Sequence, residues 1–141
     1  MNTWKKDLKY GDDMADKVLR ILGITDYRKM EGKYKPFDYI CDETAFGRGK
    51  HVLREMKADR WTARTGNLAI ECYNRGSPSG IETTGADYWN IYVEELGELY
   101  DIPVSVLKKA IHEELYEERK ECGEGSICYL FHKDVFRLFR K

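Results

Sequence analysis

The sequence predicts an α/β fold with a central mixed β-sheet flanked by helices. Three observations predict it: residues 12–22 place apolar side chains at helical spacing, segments 51–58 and 67–73 read as strands, and 104–119 returns to helical spacing. The chain has 141 residues, 42% hydrophobic and 35% charged, which suits a folded domain with a real core rather than a disordered segment.

In the first helix Met14, Val18, Ile21 and Leu22 mark one face, Asp12 or Asp13 stands where a cap belongs, and Gly23 stands where the helix ends. Pro36 to Asp42 is a short strand candidate and His51 to Ala58 a longer one. Asn67 to Tyr73 alternates, with Leu68, Ile70 and Cys72 on one face and Asn67, Ala69, Glu71 and Tyr73 on the other. Gly76-Ser77-Pro78-Ser79-Gly80 has the chemistry of a loop. Thr84-Gly85-Ala86-Asp87 is expected to open a helix, with Asp87 as its brace, before a strand through Trp89-Asn90-Ile91-Tyr92-Val93.

Pro103 suits the first turn of a helix running towards Arg119, with Val104, Leu107, Ile111 and Leu115 on one face. Ser126 to Phe131 reads as a strand and Lys133 to Phe139 as a terminal helix. No repeat or linker divides the chain. Residues 1–141 are therefore expected to form one domain, with a core at 11–93 and a helical C-terminal region at 94–141. Trp89, Tyr88 and Tyr92 read as core, and His51 and His112 show no partner.

Composition narrows the setting. No apolar run approaches the roughly 18–20 residues of a membrane span, and the N-terminal residues lack the apolar stretch of a secretion signal. A soluble, cytoplasmic protein is expected, with Cys41, Cys72, Cys122 and Cys128 as reduced thiols. The spacing of Cys122, Cys128 and His132 matches no strong zinc pattern.

Net charge is −1, but its distribution is uneven. From Arg48 to Arg75 seven basic residues face three acids, whereas from Glu94 to Glu124 ten acids face four basic residues. An anionic partner would be drawn to the first segment, where Arg60, Arg64 and Arg75 are candidate contacts with nucleic acid. Ser77 and Ser79, among small residues, could bring backbone amides close to phosphates. The terminal Lys133, Arg137, Arg140 and Lys141 offer further backbone contacts.

Within the basic segment lies Glu55-Met56-Lys57. On a strand, residues two apart share a face, so the carboxylate and the ammonium point the same way. Alone the triplet is too common to carry a function. With Asp38 upstream it gains meaning, because metal-assisted phosphodiester hydrolysis needs hard oxygen ligands that leave positions open for water and phosphate. Asp38, Glu55 and the Met56 carbonyl could supply those oxygens, and Lys57 could orient the attacking water and offset charge on the phosphate.

The order Pro36-Phe37-Asp38 followed by Glu55-Met56-Lys57, after an acidic helix, resembles the PD-(D/E)XK nuclease superfamily, to which restriction endonucleases and archaeal Holliday-junction resolvases belong. Thr65 to Glu71, Ser79-Gly80-Ile81 and Thr84 to Trp89 resemble a pattern of small phage-encoded members. The likeness covers roughly 11–93. Phe37 separates Pro36 from Asp38, so the literal Pro-Asp pair is absent.

The resemblance implies a restriction-endonuclease-like core and a nuclease that uses Mg²⁺ or Mn²⁺ to cut DNA. It implies Asp38 and Glu55 as metal ligands and Lys57 as the catalytic lysine. It also implies a helix acid near the metal, Asp16 or alternatively Asp13, while Glu71 either extends the metal site or holds a nearby basic residue. A homodimer would let two sites cut two strands. The rival expectations are a resolvase for branched DNA and a DNA-binding module of the same fold without turnover.

Overall fold

The structure, a computed structural model, describes residues 3–32, 37–43 and 50–141, with side chains for 12–32, 37–42 and 51–141. Helix α1 (Thr3–Ile21) starts well before Asp12. Gly11 stands where the apolar face would continue towards the N-terminus, which hid the helix's first half from the periodicity. Asp12 and Asp13 therefore lie inside α1 rather than capping it. Gly23, with φ +71°, follows the helix end as expected.

Five strands form the main sheet in the order β1 (Tyr27–Lys29), β2 (Tyr39–Glu43), β3 (Lys50–Asp59), β6 (Tyr88–Val93) and β7 (Glu98–Pro103). Neighbours are antiparallel except β3 and β6, which run parallel. The sheet is thus mixed, as expected. Strand β1 was not foreseen. Its three residues are all exposed, so it has no burial pattern to read and forms through backbone pairing with β2. Pro36 lies outside the described residues.

A parallel pair needs a crossover. Here it holds a short helix, α2 (Thr62–Thr65), strand β4 (Asn67–Asn74) and strand β5 (Ser77–Pro78). These last two open a second, antiparallel sheet of order β5-β4-β9-β8, completed from the C-terminal end by β8 (Glu118–Gly123) and β9 (Ser126–His132). The expected loop at 76–80 is in part a tight hairpin. Arg75 and Gly76 take φ values of +50° and +80° between Asn74 and Ser77, which pair. Residues 84–87 open no helix. A 3₁₀ turn at Gly80–Glu82 precedes them, and Asp87 braces β3, accepting from Leu53 N–H at 2.9 Å while its own N–H donates to the Leu53 carbonyl.

The region 94–141 is not mainly helical. Helix α3 (Val104–His112) stops where Glu113, Glu114, Glu117 and Glu118 crowd negative charge, and Glu114 turns the chain at φ +56°. Strand β8 follows with all six residues exposed, an edge strand carrying charge but no apolar alternation. The expected terminal helix is a kinked 3₁₀ segment, Lys133–Phe139. Cys122 and Cys128 form a disulfide across the β8–β9 hairpin, whereas Cys41 and Cys72 are free and buried. The expectation of four reduced thiols is corrected to that extent.

The two faces of the main sheet are covered differently. Helix α1 lays Met14, Ala15, Val18 and Leu19 over Tyr39, Cys41, Tyr92 and Leu99. On the opposite face Trp89, Ile91, Val93, Tyr100 and Ile102 meet Leu68, Ile70 and Phe131 of the second sheet, with Leu107 and Ala110 of α3. The main buried cluster therefore reaches Phe136, well past the expected boundary at 93. Among the described residues no helix is long and apolar enough to cross a membrane.

Candidate active site

Strand β3 carries two functional faces. Arg54, Met56 and Ala58 point to the α1 side, and Glu55 and Lys57 point to the side of the second sheet. The β2–β3 register ends with Tyr39 opposite Arg54, and the Asp38 N–H donates to the Arg54 carbonyl at 3.0 Å. Asp38 lies just outside the paired strand, close enough to Glu55 for the two carboxyl groups to interact. Its Oδ2 accepts from Met56 N–H at 2.9 Å, which fixes the carboxylate at the open end of β2. Because the N–H of Met56 lies on the β2 edge of β3, its carbonyl lies on that edge too.

Lys57 Nζ is 3.3 Å from Glu55 Oε1 and 5.6 Å from the centre of the Trp89 ring, so an anion and an aromatic face hold the ammonium. Burial pushes the Glu55 carboxyl above its ordinary range; the Lys57 charge pulls it down, and the adjacent Asp38 charge and a hydrogen bond with Asp38 push it up. Two carboxyl groups side by side concentrate oxygen donors and negative charge, the donor chemistry a hard cation takes.

Asp16 lies on the exposed side of α1, across the sheet from Glu55 and Lys57. It bears on the site through Tyr39, whose hydroxyl is pushed up to about 12 by burial and then by the charges of Asp12, Asp16 and Asp38. Asp13 is exposed as well. Glu71 lines the same cleft as Lys57, but its oxygens accept hydrogen bonds from the Ser79 hydroxyl at 3.1 Å and the Ser126 hydroxyl at 2.8 Å. Among the described residues no three His, Cys, Asp or Glu side chains converge on one point, so Asp38 and Glu55 stand as a two-carboxylate set.

The cleft, about 300 Å³, runs from Lys57 along Asp59, Arg60 and Trp61, with Trp89 and Ile91 beneath and Ala69, Glu71 and Cys128 opposite. A neighbouring hollow is lined by Asp59, Arg60, Trp61, Arg64, Glu94 and Glu95. Arg60 and Arg64 thus belong to one continuous rim. Arg75 and Ser77 sit on the exposed β4–β5 hairpin and line neither hollow, and Ser79 is turned to Glu71. The His51 imidazole touches the Asp42 carboxylate, so it has a partner the sequence did not show. At the C-terminus Lys133 and Arg140 both pair with Glu98 at 3.0 Å.

Sequence reading missed Trp61 and the part Trp89 plays beneath Lys57. The signal for Trp61 was its place between Arg60 and Arg64. For Trp89 no local signal existed, since the β3–β6 pairing alone sets Glu55 beside it.

No protein-family model matches this chain, and no curated protein matches it. Among solved structures the chain is similar to a bacterial homing endonuclease, I-Ssp6803I, at 23% identity and a TM-score of 0.50, over 75% of this chain and 69% of that one. The likeness is one of fold, a mixed α/β architecture shared with a nuclease.

Proposed function

We propose that this chain is a divalent-metal-dependent endonuclease that hydrolyses phosphodiester bonds in DNA, with a PD-(D/E)XK site. The observation that carries the reading is the convergence of Asp38 and Glu55 at the open end of β2 with Lys57 beside them. The fold shared with a homing endonuclease supports it, as do Arg60 and Arg64 at the hollow beside the cleft, although Asp59, Glu94 and Glu95 line that hollow with them.

Asp38, Glu55 and the Met56 carbonyl would hold Mg²⁺ or Mn²⁺, which when bound supplies a Lewis acid and an activated water. The residues do the rest. Burial and Asp38 disfavour the charged Glu55 carboxylate, and a cation held there would favour it. Lys57, held by Glu55 and Trp89, orients the attacking water and places positive charge beside the phosphate. Asp16 and Glu71 act at longer range, Asp16 across Tyr39 and Glu71 as the acceptor that keeps Ser79 and Ser126 in place.

Cleavage of supercoiled, linear and branched DNA with Mg²⁺ or Mn²⁺, and with chelator, tests the reading. Asp38→Ala and Lys57→Ala should each lower the cleavage rate by about a hundredfold or more, with the fold retained by circular dichroism. Unchanged cleavage in both variants would place the chemistry elsewhere. Salt-sensitive DNA binding without any cleavage would leave a binding module.

A further inference from the structure

We propose that Trp61 is a stacking platform for a nucleobase of the bound DNA strand, set beside the cleft that holds Lys57; this rests on the nuclease reading above. Of the large apolar side chains, this indole stands among the most exposed, at 67%, and its place in the fold is fixed. The Asp59 carboxylate accepts from Trp61 N–H at 2.7 Å and from Thr62 N–H at 2.8 Å. The Trp61 carbonyl in turn accepts from the Arg64 and Thr65 amides at 2.9 and 3.0 Å and from the Thr65 hydroxyl at 3.2 Å. Thr62 is buried and donates to the Asn67 carbonyl, anchoring the turn to β4.

A backbone tied at every polar group holds an aromatic ring out into water. Ordering such a ring in advance lowers the entropy lost when something stacks on it. The surroundings specify what that is. Arg64 lies 5.8 Å from the ring centre, Arg60 lines the hollows on both sides and Lys57 lines one of them. Asp59, Glu94 and Glu95 line the same surface, Asp59 held by the Trp61 and Thr62 amides and Glu94 lying 3.6 Å from Lys17. An apolar plane with Arg64 beside it and Arg60 and Lys57 along the cleft offers a base a stacking face and its phosphates a cation, and sequence-tolerant stacking follows because every base has a π-face. The Cα atoms of Lys57 and Trp61 are four residues apart on and just past β3, at most about 13 Å, so the stacked base lies a few nucleotides from the phosphate beside Lys57.

The experiment scans single 2-aminopurine substitutions through a DNA substrate, with Ca²⁺ replacing Mg²⁺ so that complexes form without cleavage. Wild type should change the probe's fluorescence at one or two positions near the cut and not at the others. Trp61→Ala should abolish that change and weaken binding by roughly tenfold or more, while Trp61→Phe should keep the change and most of the affinity. Equal signal and affinity in wild type and Trp61→Ala would overturn the proposal and leave the nuclease reading intact. No DNA binding by wild type would remove both. A Trp61→Ala variant that binds as wild type but loses self-association in sedimentation would assign the indole to a second copy instead, and also overturn the proposal.

Discussion

In the proposed reaction the Glu55 carboxyl has the central part, because a proton and a cation would compete for the same oxygens. Burial raises it, Lys57 lowers it and Asp38 raises it. The sign follows for two variants. Lys57→Met removes the lowering charge, so Glu55 should titrate at higher pH than in wild type; Asp38→Asn removes the raising charge, so it should titrate at lower pH. A carbon-13 NMR titration of the Glu55 side chain checks both, independently of activity. Shifts in the same direction in the two variants would mean the three groups are not in contact as described. A carboxyl held above its unfolded value stabilises the fold while protonated and loses that contribution as pH rises through the folded value.

At the scale of the element, β3 joins that site to the buried framework. On its opposite face Arg54 is 2% exposed and donates to Asp101 at 2.7 Å and to Asn90 at 3.1 Å, while Asn90 Nδ2 donates to Asp101 at 2.6 Å. This network spans β3, β6 and β7 and fixes their alignment beneath Glu55 and Lys57. Removing one partner of a buried pair leaves the other charge without compensation. Asp101→Ala should therefore lower stability by about 3–5 kcal/mol in urea unfolding. A loss below about 1 kcal/mol would show that water or another group replaces the carboxylate. Gly80 shows a similar demand between elements. A Cβ there would meet the Glu71 carbonyl at 2.1 Å, and its φ is +54°, so only glycine lets the turn press against β4.

For the whole molecule, the question is whether two sheets make one folding unit. Strands β4 and β5 interrupt the β3–β6 crossover, β8 and β9 arrive from the far end of the chain, and one buried cluster joins Trp89 and Ile91 to Leu68, Ile70 and Phe131. We therefore expect a single cooperative transition, with Trp fluorescence and far-UV circular dichroism coincident. Phe131→Ala, at a fully buried position in the second sheet, should move both probes together by about 3–5 kcal/mol. Separate transitions would mean that the sheets are distinct domains.

Much of this was legible in local order. The alternation of Leu68, Ile70 and Cys72 gave β4 its buried face, and the spacing of Glu55 and Lys57 gave their shared side, because strand periodicity is a property of neighbouring residues. Edge strands β1 and β8 were not legible, since backbone hydrogen bonds made by partners distant in sequence leave no mark on exposed side chains. The disulfide between Cys122 and Cys128 and the half of α1 before Asp12 escaped for related reasons. The sequence by itself determined which chemical groups are present and which face of β3 carries them. Only the tertiary structure decided that Asp38 stands beside Glu55, that Trp89 lies beneath Lys57, and that Asp16 lies across the sheet while Glu71 is held by two serines. Register, crossover and burial are set by contacts between segments far apart in the chain, where no periodicity reaches.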